Sequence, residues 1–225
     1  PCPQAALGSH ERQRTRMHQP SIYLIGGPPG AGKSTLGIAI ANRLACSYLT
    51  IDDLRTSLIA LTDASQHPDL HVIGLPDPWT YFTDTDPDTM IEHAIAQHTA
   101  LWSGVEREIR KRAGNDQTAV IEGWHLLPDL VASVESEAVC PVWLDVDHDV
   151  LEERERAVWG FYEKSPDPQL MFDNFVTRST RWNDIVSNGA AEHGYPTIVQ
   201  DGTLTVDDLV EKVLDIGLTP NRSPS

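Results

Sequence analysis

The sequence predicts an α/β fold in which five parallel strands form one sheet with helices on both faces. Short apolar runs recur along the 225 residues, and most are followed by a longer segment with apolar side chains at helical spacing. Strands that alternate with helices in this way indicate a parallel sheet covered on both sides. The first apolar run, residues 21–25, ends in glycines and opens directly into a helical segment. Such a junction is typical of the ligand-binding edge of a parallel sheet.

The individual elements follow from periodicity and from residues that start or stop helices. The first helix, residues 34–46, has leucine or isoleucine at every fourth position, and the longest, residues 88–113, ends at Gly114. The last helix begins at Thr205, where Asp208 stands at capping-box spacing. Further helices are predicted at 53–61, 149–162 and 169–193. Further strands are predicted at 48–51, 118–122, 142–146 and 197–199.

Composition is that of an ordinary globular protein, with 40% hydrophobic and 22% charged residues. No run of eighteen apolar residues is present, so no membrane span is expected. The three cysteines are widely spaced, so we expect neither a disulfide framework nor a cysteine metal site. Residues 1–16 lack an apolar signal core, so we expect a cytoplasmic protein. A net charge of −16 argues against a nucleic-acid partner. The length fits one domain, residues 19–217, between flexible tails at 1–18 and 218–225.

The strongest motif lies between the first strand and the first helix. Residues 27–34 read Gly-Pro-Pro-Gly-Ala-Gly-Lys-Ser, which matches the phosphate-binding pattern G-x-x-x-x-G-K-[S/T] in its required context. In this pattern backbone N–H groups surround the phosphates, the lysine reaches the β- and γ-phosphates, and the serine hydroxyl reaches Mg²⁺. ATP and Mg²⁺ are therefore the expected cofactors. The predicted nucleotide-binding residues are Gly27, Pro28, Pro29, Gly30, Ala31, Gly32, Lys33, Ser34 and Thr35.

This motif predicts a P-loop NTPase, and the rest of the chain indicates which branch. The base-reading and switch motifs of GTPases are missing from their expected places, and the chain is too short for a large motor ATPase. The nucleotide- and metabolite-kinase branch is therefore favoured, with a fold like that of nucleoside-monophosphate kinases.

A carboxylate and an arginine follow the second predicted strand. Asp52 and Asp53 stand at the carboxyl end of that strand, beside the P-loop, and Arg55 follows about one helical turn later. A carboxylate here can accept the proton that an acceptor hydroxyl loses as it attacks, and an arginine can hold an anionic group. The alternative is a structural role, with Asp53 as a helix N-cap.

The Asp-Asp-x-x-Arg element, about twenty residues after Lys33, resembles that of polynucleotide 5′-kinases and related small-molecule kinases. The resemblance implies that Asp52 is the catalytic base and that Arg55 contacts the substrate. Lys33 of the P-loop is the third predicted catalytic residue.

The third strand ends in Glu-Gly-Trp-His-Leu-Leu-Pro, residues 122–128. Glu122 closes an apolar strand next to the P-loop, where it can hold Mg²⁺ or orient the acceptor. The segment resembles the E-G-x-H-x-x-P stretch of 2-phosphoglycerate kinases, and the resemblance extends over most of residues 21–215. It implies an ATP-dependent small-molecule kinase in which His125 contacts the substrate; a structural role for His125 is equally open.

Residues 150–182 are predicted to form a lid, because kinases of this fold carry arginines there that close over the transferred phosphoryl group. The candidates are Arg154, Arg156, Arg178 and Arg181. The alternative for each of them is surface pairing with neighbouring acidic residues.

The acceptor should lie under residues 62–87, a long segment rich in proline and aromatic residues with little periodicity. No lysine or arginine occurs between Arg55 and Arg107, and the segment instead carries several aspartates together with Trp79 and Tyr81, the aromatic candidates for substrate contact. Acids and aromatics favour a neutral polyol, a nucleoside or a cationic amino compound, whereas an anionic acceptor would depend on the lid arginines. A solvated flap with packed aromatics is the structural alternative.

These observations predict an ATP-dependent kinase that phosphorylates a hydroxyl of a small molecule. Two alternatives stay open, namely an antibiotic or nucleotide-sugar phosphotransferase and a non-catalytic nucleotide-binding module. The second alternative requires the P-loop but neither Asp52 nor the lid arginines.

Overall fold

The computed structural model describes residues 20–74, 77–115 and 117–218. Five parallel strands form one sheet in the order β2-β3-β1-β4-β5, which confirms the predicted sheet. They are β1 (Ile22–Gly26), β2 (Ser47–Thr50), β3 (Ala119–Glu122), β4 (Val139–Val146) and β5 (Thr197–Gln200). The predicted tail at 1–18, and all of the tail at 218–225 except Leu218, lie outside the described residues.

The helices connect the strands and cover both faces of the sheet. The longer ones are α1 (Lys33–Leu44), α2 (Ile51–Leu61), α5 (Pro87–Ala113), α7 (His148–Ala157), α8 (Pro168–Glu192) and α9 (Val206–Leu218). Short helical turns are α3 (Pro68–His71), α4 (Pro78–Asp84) and α6 (Pro128–Val131), and 3₁₀ turns follow at Ala132–Val134 and Trp159–Lys164. Among the described residues, no helix combines the length and apolar character that crossing a membrane requires.

The central strand shows why the sheet is buried on both sides. Side chains of successive residues in a strand point to opposite faces. Ile22 and Leu24 therefore join the core on the side of α5 and α8, whereas Tyr23 and Ile25 join the core on the side of α1 and α9. Every residue of β1 is buried, as expected for a central parallel strand.

The capping box predicted at the last helix is present. The Thr205 backbone N–H donates to Asp208 Oδ2 at 2.9 Å, and the Asp208 N–H donates to Thr205 Oγ1 at 3.2 Å. These two bonds satisfy N–H groups that the helix itself cannot use, so the local pattern alone was sufficient to locate this helix start.

The segment at 62–87 differs from its prediction because two short helices form within it. Both begin with proline at the first position, where the missing N–H costs nothing. Asp77 caps the second by accepting from the Thr80 N–H at 2.9 Å. Periodicity misses helices this short, because they are stabilised by caps and by tertiary packing.

A small separate core, here called the lid cluster, joins α4 to the lid region. Its members are Trp79, Phe82, Trp159, Tyr162, Met171, Phe172, Phe175 and Val176. Helix α7 ends earlier than predicted, and the 3₁₀ turn that follows brings Tyr162 into this cluster, where its hydroxyl donates to Glu155 Oε2 at 2.6 Å. Residues 62–87, the predicted substrate-side segment, and residues 150–182, the predicted lid, therefore pack on each other.

Candidate active site

The loop between β1 and α1 has the geometry that anion binding requires. Gly27, Gly30 and Gly32 have φ values of 134°, 78° and 86°, a region that residues with a side chain avoid. A Cβ on Gly27 would also lie 2.7 Å from the Leu144 carbonyl oxygen. The predicted nucleotide-binding residues, 27–35, thus form one turn at the start of α1, where backbone N–H groups and the helix dipole favour phosphate.

Lys33 is buried in this turn and donates from Nζ to the Pro28 carbonyl at 2.6 Å. The pKa of Lys33 is lowered to about 8; burial is the main cause, the carboxylates of Glu122 and Asp52 oppose the fall, and the positive charge of Arg178 adds to it. Charged groups from three other parts of the chain therefore lie close enough to act on the P-loop lysine.

Glu122 is buried at the end of β3 and faces the P-loop serine. Its Oε1 accepts from Ser34 Oγ at 3.1 Å and from the Tyr48 hydroxyl at 2.8 Å. Hydroxyl and carboxylate oxygens are the ligands that Mg²⁺ prefers, and Mg²⁺ usually keeps several waters and binds substrate phosphates as well. Ser34 and Glu122 therefore fit an Mg²⁺ ion held partly by the nucleotide. Tyr48 was not predicted as a site residue, because only the pairing of β2 with β3 brings its ring to the Glu122 carboxylate.

Asp52 lies in the first turn of α2, with its side chain about half exposed (55%). The cap of this helix is Thr50, whose Oγ1 accepts from the Asp52 N–H at 3.3 Å, so the alternative of an Asp53 cap is wrong. Partial burial raises the pKa of Asp52, and the positive charges of Arg55 and Lys33 oppose the rise. The Asp52 carboxylate thus faces the site without being used by the helix.

Arg55 is held in place by a residue that the sequence analysis did not single out. Its Nε donates to Gln97 Oε1 at 2.9 Å, and Gln97 Nε2 donates to the Leu70 carbonyl at 2.8 Å. Gln97 is fully buried in α5. A polar side chain on the apolar face of a long helix was the available signal, because buried polar groups are placed where they find partners.

His125 and His98 lie together behind Asp52. Both rings are 1% exposed, their centroids are 4.5 Å apart, and no ring nitrogen has a hydrogen-bond partner among the described residues. His125 Nε2 is 3.9 Å from Asp52 Oδ1. Burial keeps the pKa of both imidazoles well below its usual range, and the nearby positive charges act in the same direction. Both rings are therefore neutral.

Arg178 is the arginine that the fold places deepest in the site, only 3% exposed. Its guanidinium carbon lies 4.4, 5.0 and 5.4 Å from the ring centroids of Phe175, Trp124 and Phe82. Nε has no partner, Nη2 reaches only Ser179 Oγ at 3.4 Å, and no ion pair involves this arginine within the described part of the chain. Burial lowers its pKa to about 10, so it is charged at neutral pH.

The other predicted lid arginines have different surroundings. Arg154 donates to the Gly30 carbonyl and to Gln200 Oε1, both at 3.2 Å, and so lies against the P-loop. Arg156 pairs with Glu152 on the helix surface and covers the Phe172 ring, and Arg181 pairs with the exposed Asp88. The structure thus brings Arg154 and Arg178 to the site. Roles of Arg156 and Arg181 on the phosphoryl group stay predictions.

Trp79 and Tyr81, the aromatic candidates for substrate contact, are packed within the protein. Trp79 belongs to the lid cluster, with Lys164 Nζ 5.6 Å from its ring centroid. Tyr81 is buried, and its hydroxyl lies 3.1 Å from His93 Nδ1. Contact with substrate stays a prediction for both.

Together, the sheet order and the P-loop define a P-loop kinase fold of the nucleoside-monophosphate-kinase type. Among solved structures, a shikimate kinase from Acinetobacter baumannii in complex with shikimate superposes with a TM-score of 0.52 at 18% identity, over 88% of this chain and 92% of that chain. This likeness confirms the predicted fold. No protein-family model matches the chain.

Two curated relatives carry the same name. The chain is 25% identical over 201 residues to the 2-phosphoglycerate kinase of Methanocaldococcus jannaschii, a match that covers 88% of this chain and 63% of the relative. It is 26% identical over 215 residues to the 2-phosphoglycerate kinase of Pyrococcus horikoshii, covering 91% and 69%. The chain thus matches a little under two thirds of the length of the first relative.

These similarities confirm the resemblance to 2-phosphoglycerate kinases that the motifs predicted. The likeness of the Asp-Asp-x-x-Arg element to polynucleotide 5′-kinases is not tested by them and stays a prediction.

Proposed function

We propose that this protein is an ATP-dependent kinase that transfers the γ-phosphoryl group to a hydroxyl of a small anionic acceptor, with 2-phosphoglycerate as the first candidate. The observation that carries the proposal is the arrangement at the end of β3, where Glu122 accepts from the P-loop Ser34 at 3.1 Å, His125 Nε2 lies 3.9 Å from Asp52 Oδ1, and the Arg178 guanidinium carbon lies 5.0 Å from the Trp124 ring centroid. A P-loop for the donor, a carboxylate for the acceptor proton and a cation for the acceptor thus occupy one site. The names of the curated relatives support the same reaction.

On the donor side, the P-loop N–H groups and Lys33 bind the β- and γ-phosphates. Ser34 and Glu122 would hold Mg²⁺, which would offset phosphate charge. Arg154 lies against the Gly30 carbonyl and braces the loop from α7.

On the acceptor side, Asp52 takes the proton of the attacking hydroxyl. Its raised pKa makes the carboxylate a stronger base. Because the acceptor oxygen must approach the γ-phosphate in line, a carboxylate beside Lys33 is well placed to orient it.

An anionic acceptor is favoured because the buried Arg178 makes no ion pair among the described residues; the Glu155 carboxylate acts on its charge from a longer distance and accepts a hydrogen bond from the Tyr162 hydroxyl. A buried charge is costly unless it is paired, so a ligand carboxylate or phosphate would supply the missing partner. Arg55 adds a second cation, held by Gln97. Both arginines lie outside residues 62–87, so the lack of cations in that segment does not exclude an anionic acceptor.

The acidic residues of that segment also have structural uses. Asp77 and Asp86 cap α4 and α5, and Asp63 accepts from the Ser65 N–H at 2.7 Å. Each of these three aspartates thus has a structural role in a turn or a helix cap, so their presence does not require a cationic acceptor.

ADP formation from Mg-ATP in the presence of single acceptors tests the proposal. We expect 2-phosphoglycerate, through its one free hydroxyl, to raise turnover well above the rate with water, and glycerol and an aminoglycoside to fail. Asp52→Asn should lower that turnover by about 10²–10⁴-fold while ATP still binds. Phosphorylation of the aminoglycoside instead would contradict the acceptor class. ATP binding without turnover for any acceptor would favour the non-catalytic module.

A further inference from the structure

His125 is a buried side chain whose ring nitrogens form no hydrogen bonds with the described residues. It follows Glu122 by three residues at the carboxyl end of β3, is 1% exposed, and has no hydrogen-bond partner for either ring nitrogen among the described residues. An unpartnered buried polar group costs about 1–3 kcal/mol. Such a cost at the edge of the P-loop suggests a use in the working enzyme.

The surroundings of the ring indicate which nitrogen is used. Nδ1 lies against Gly123, where an added Cβ would be 3.2 Å away, and the ring packs at tilted angles against His98 and Trp124. Nε2 faces the carboxylate of Asp52, with 3.9 Å between Nε2 and Oδ1. A neutral imidazole has a single N–H, and a buried N–H without an acceptor is rarer than an unused lone pair. The proton therefore belongs on Nε2, towards Asp52.

The Asp52 carboxylate would benefit from such a donor. It is half exposed and accepts no hydrogen bond from the described residues, so its two oxygens can exchange places by rotation. A base is efficient only when the accepting oxygen is held within hydrogen-bond reach of the acceptor hydroxyl.

We propose that His125 is a positioning residue for Asp52: its Nε2–H donates to Oδ1 when the acceptor site is filled, which leaves Oδ2 to take the proton of the acceptor hydroxyl. The inference rests on the proposed function, because it requires Asp52 to be the base. An approach of about 1 Å brings the two atoms into hydrogen-bond range. Asp52 is in the first turn of α2 and is exposed enough to make this movement.

Three substitutions at His125 test which atom matters. His125→Phe keeps the ring shape and removes the donor, so kcat for ADP formation from Mg-ATP with 2-phosphoglycerate should fall about 10–100-fold, with KM for 2-phosphoglycerate within about threefold. His125→Gln places an amide N–H near the position of Nε2 and should recover most of the loss. His125→Asn places its amide near Nδ1 and should not.

A purely structural role for His125 predicts that His125→Phe lowers kcat together with the midpoint of thermal unfolding, whereas the positioning role predicts that only kcat falls. His125→Phe removes an unpartnered polar group from a buried site, so the midpoint of thermal unfolding should stay equal or rise while kcat falls. The matched control is His98→Phe, because His98 is equally buried and unpartnered but forms no ion pair with a carboxylate among the described residues. Its kcat should stay within about twofold of the unsubstituted enzyme.

A double substitution distinguishes the positioning role of His125 from the proposed role of Asp52 as the base. In the Asp52→Asn background, His125→Phe should cause no further loss, because the donor has no carboxylate left to orient. If Asp52→Asn is inactive and His125→Phe retains full kcat, the positioning role is wrong and the proposed base stands. If Asp52→Asn retains turnover, the base and the positioning role are both wrong.

Discussion

At the scale of single residues, Arg178 has the least usual environment in this protein. It is a fully buried cation surrounded by aromatic rings, with no carboxylate paired to it among the described residues. Ring faces attract a guanidinium only weakly compared with an ion pair. In the absence of ligand this arginine should therefore reduce stability, and an anionic ligand should reverse that effect.

Replacing Arg178 by methionine should separate binding from stability. Arg178→Met should raise KM for 2-phosphoglycerate about 10–100-fold, because charge-assisted hydrogen bonds to the acceptor are lost. Without ligand, its midpoint of thermal unfolding should be equal or higher. Steady-state kinetics and thermal unfolding measure the two effects. Arg43→Met, which removes an exposed arginine paired with Glu211, is the control. An unchanged KM would refute the acceptor-binding role.

Tyr48 gives a second residue-scale prediction. Its hydroxyl supports the buried Glu122, which otherwise accepts only from Ser34 among the described residues. Tyr48→Phe should raise the Mg²⁺ concentration for half-maximal activity by about 3–10-fold, since supporting hydrogen bonds orient metal ligands. An Mg²⁺ titration at fixed ATP measures this. Tyr195→Phe removes a hydroxyl that has no partner in the described structure and should leave the titration unchanged.

At the scale of elements, the lid and the substrate-side segment are held together by specific bonds as well as by the lid cluster. Asn174 of α8 donates to the carbonyls of Phe82 and Thr83, both at 3.2 Å, and Thr83 Oγ1 lies 2.5 Å from Ser165 Oγ. Phe82 in turn contacts the Arg178 guanidinium. The position of the buried cation therefore depends on how α4 packs against α8.

Asp86, the N-cap of α5, gives a pH-dependent prediction. Hydrogen bonds from the Thr89 hydroxyl and N–H lower the pKa of Asp86 below its usual 3.8, so its stabilisation is complete above that pH and is lost as the pH falls through the lowered pKa. Asp86→Ala should lower the midpoint of thermal unfolding at pH 7 by roughly 2 °C, and the difference should shrink towards pH 3. Circular dichroism at both pH values measures it. With Asp86→Asn, which caps without titrating, most of the loss at pH 7 should be absent.

At the scale of the whole molecule, nucleotide binding should stabilise the fold. At a hundred times its dissociation constant, a ligand adds about 2.7 kcal/mol, which for a chain of this length corresponds to roughly 5–10 °C in the midpoint of unfolding. Mg-ATP should produce this shift, and ATP with EDTA a smaller one, because Ser34 and Glu122 then lack their metal. Lys33→Met should abolish most of the shift. Equal shifts with and without Mg²⁺ would contradict the assigned metal site.

Much of the architecture was predictable from local patterns. The five strands, the P-loop and the Thr205 capping box depend on near neighbours in the chain, so periodicity and motif spacing were sufficient. The helices α3 and α4 were not predicted, because short helices have little periodicity and depend on packing. Gln97 and Tyr48 were also missed, because their partners Arg55 and Glu122 are 42 and 74 residues away.

The sequence by itself determined the phosphate-binding turn, the order of strands and helices along the chain, and the set of candidate polar residues at the carboxyl ends of the strands. Only the tertiary structure decided which candidates meet: Arg178 is buried against Trp124, the neighbour of the His125 that faces Asp52, whereas Arg181 pairs at the surface. The two arginines are three residues apart on one helix, so spacing gives them similar positions. Their different charge environments arise because Arg178 packs against Phe82 of α4 and Trp124 of the loop after β3, whereas Arg181 meets Asp88 of α5, and these long-range contacts are not encoded in the local sequence.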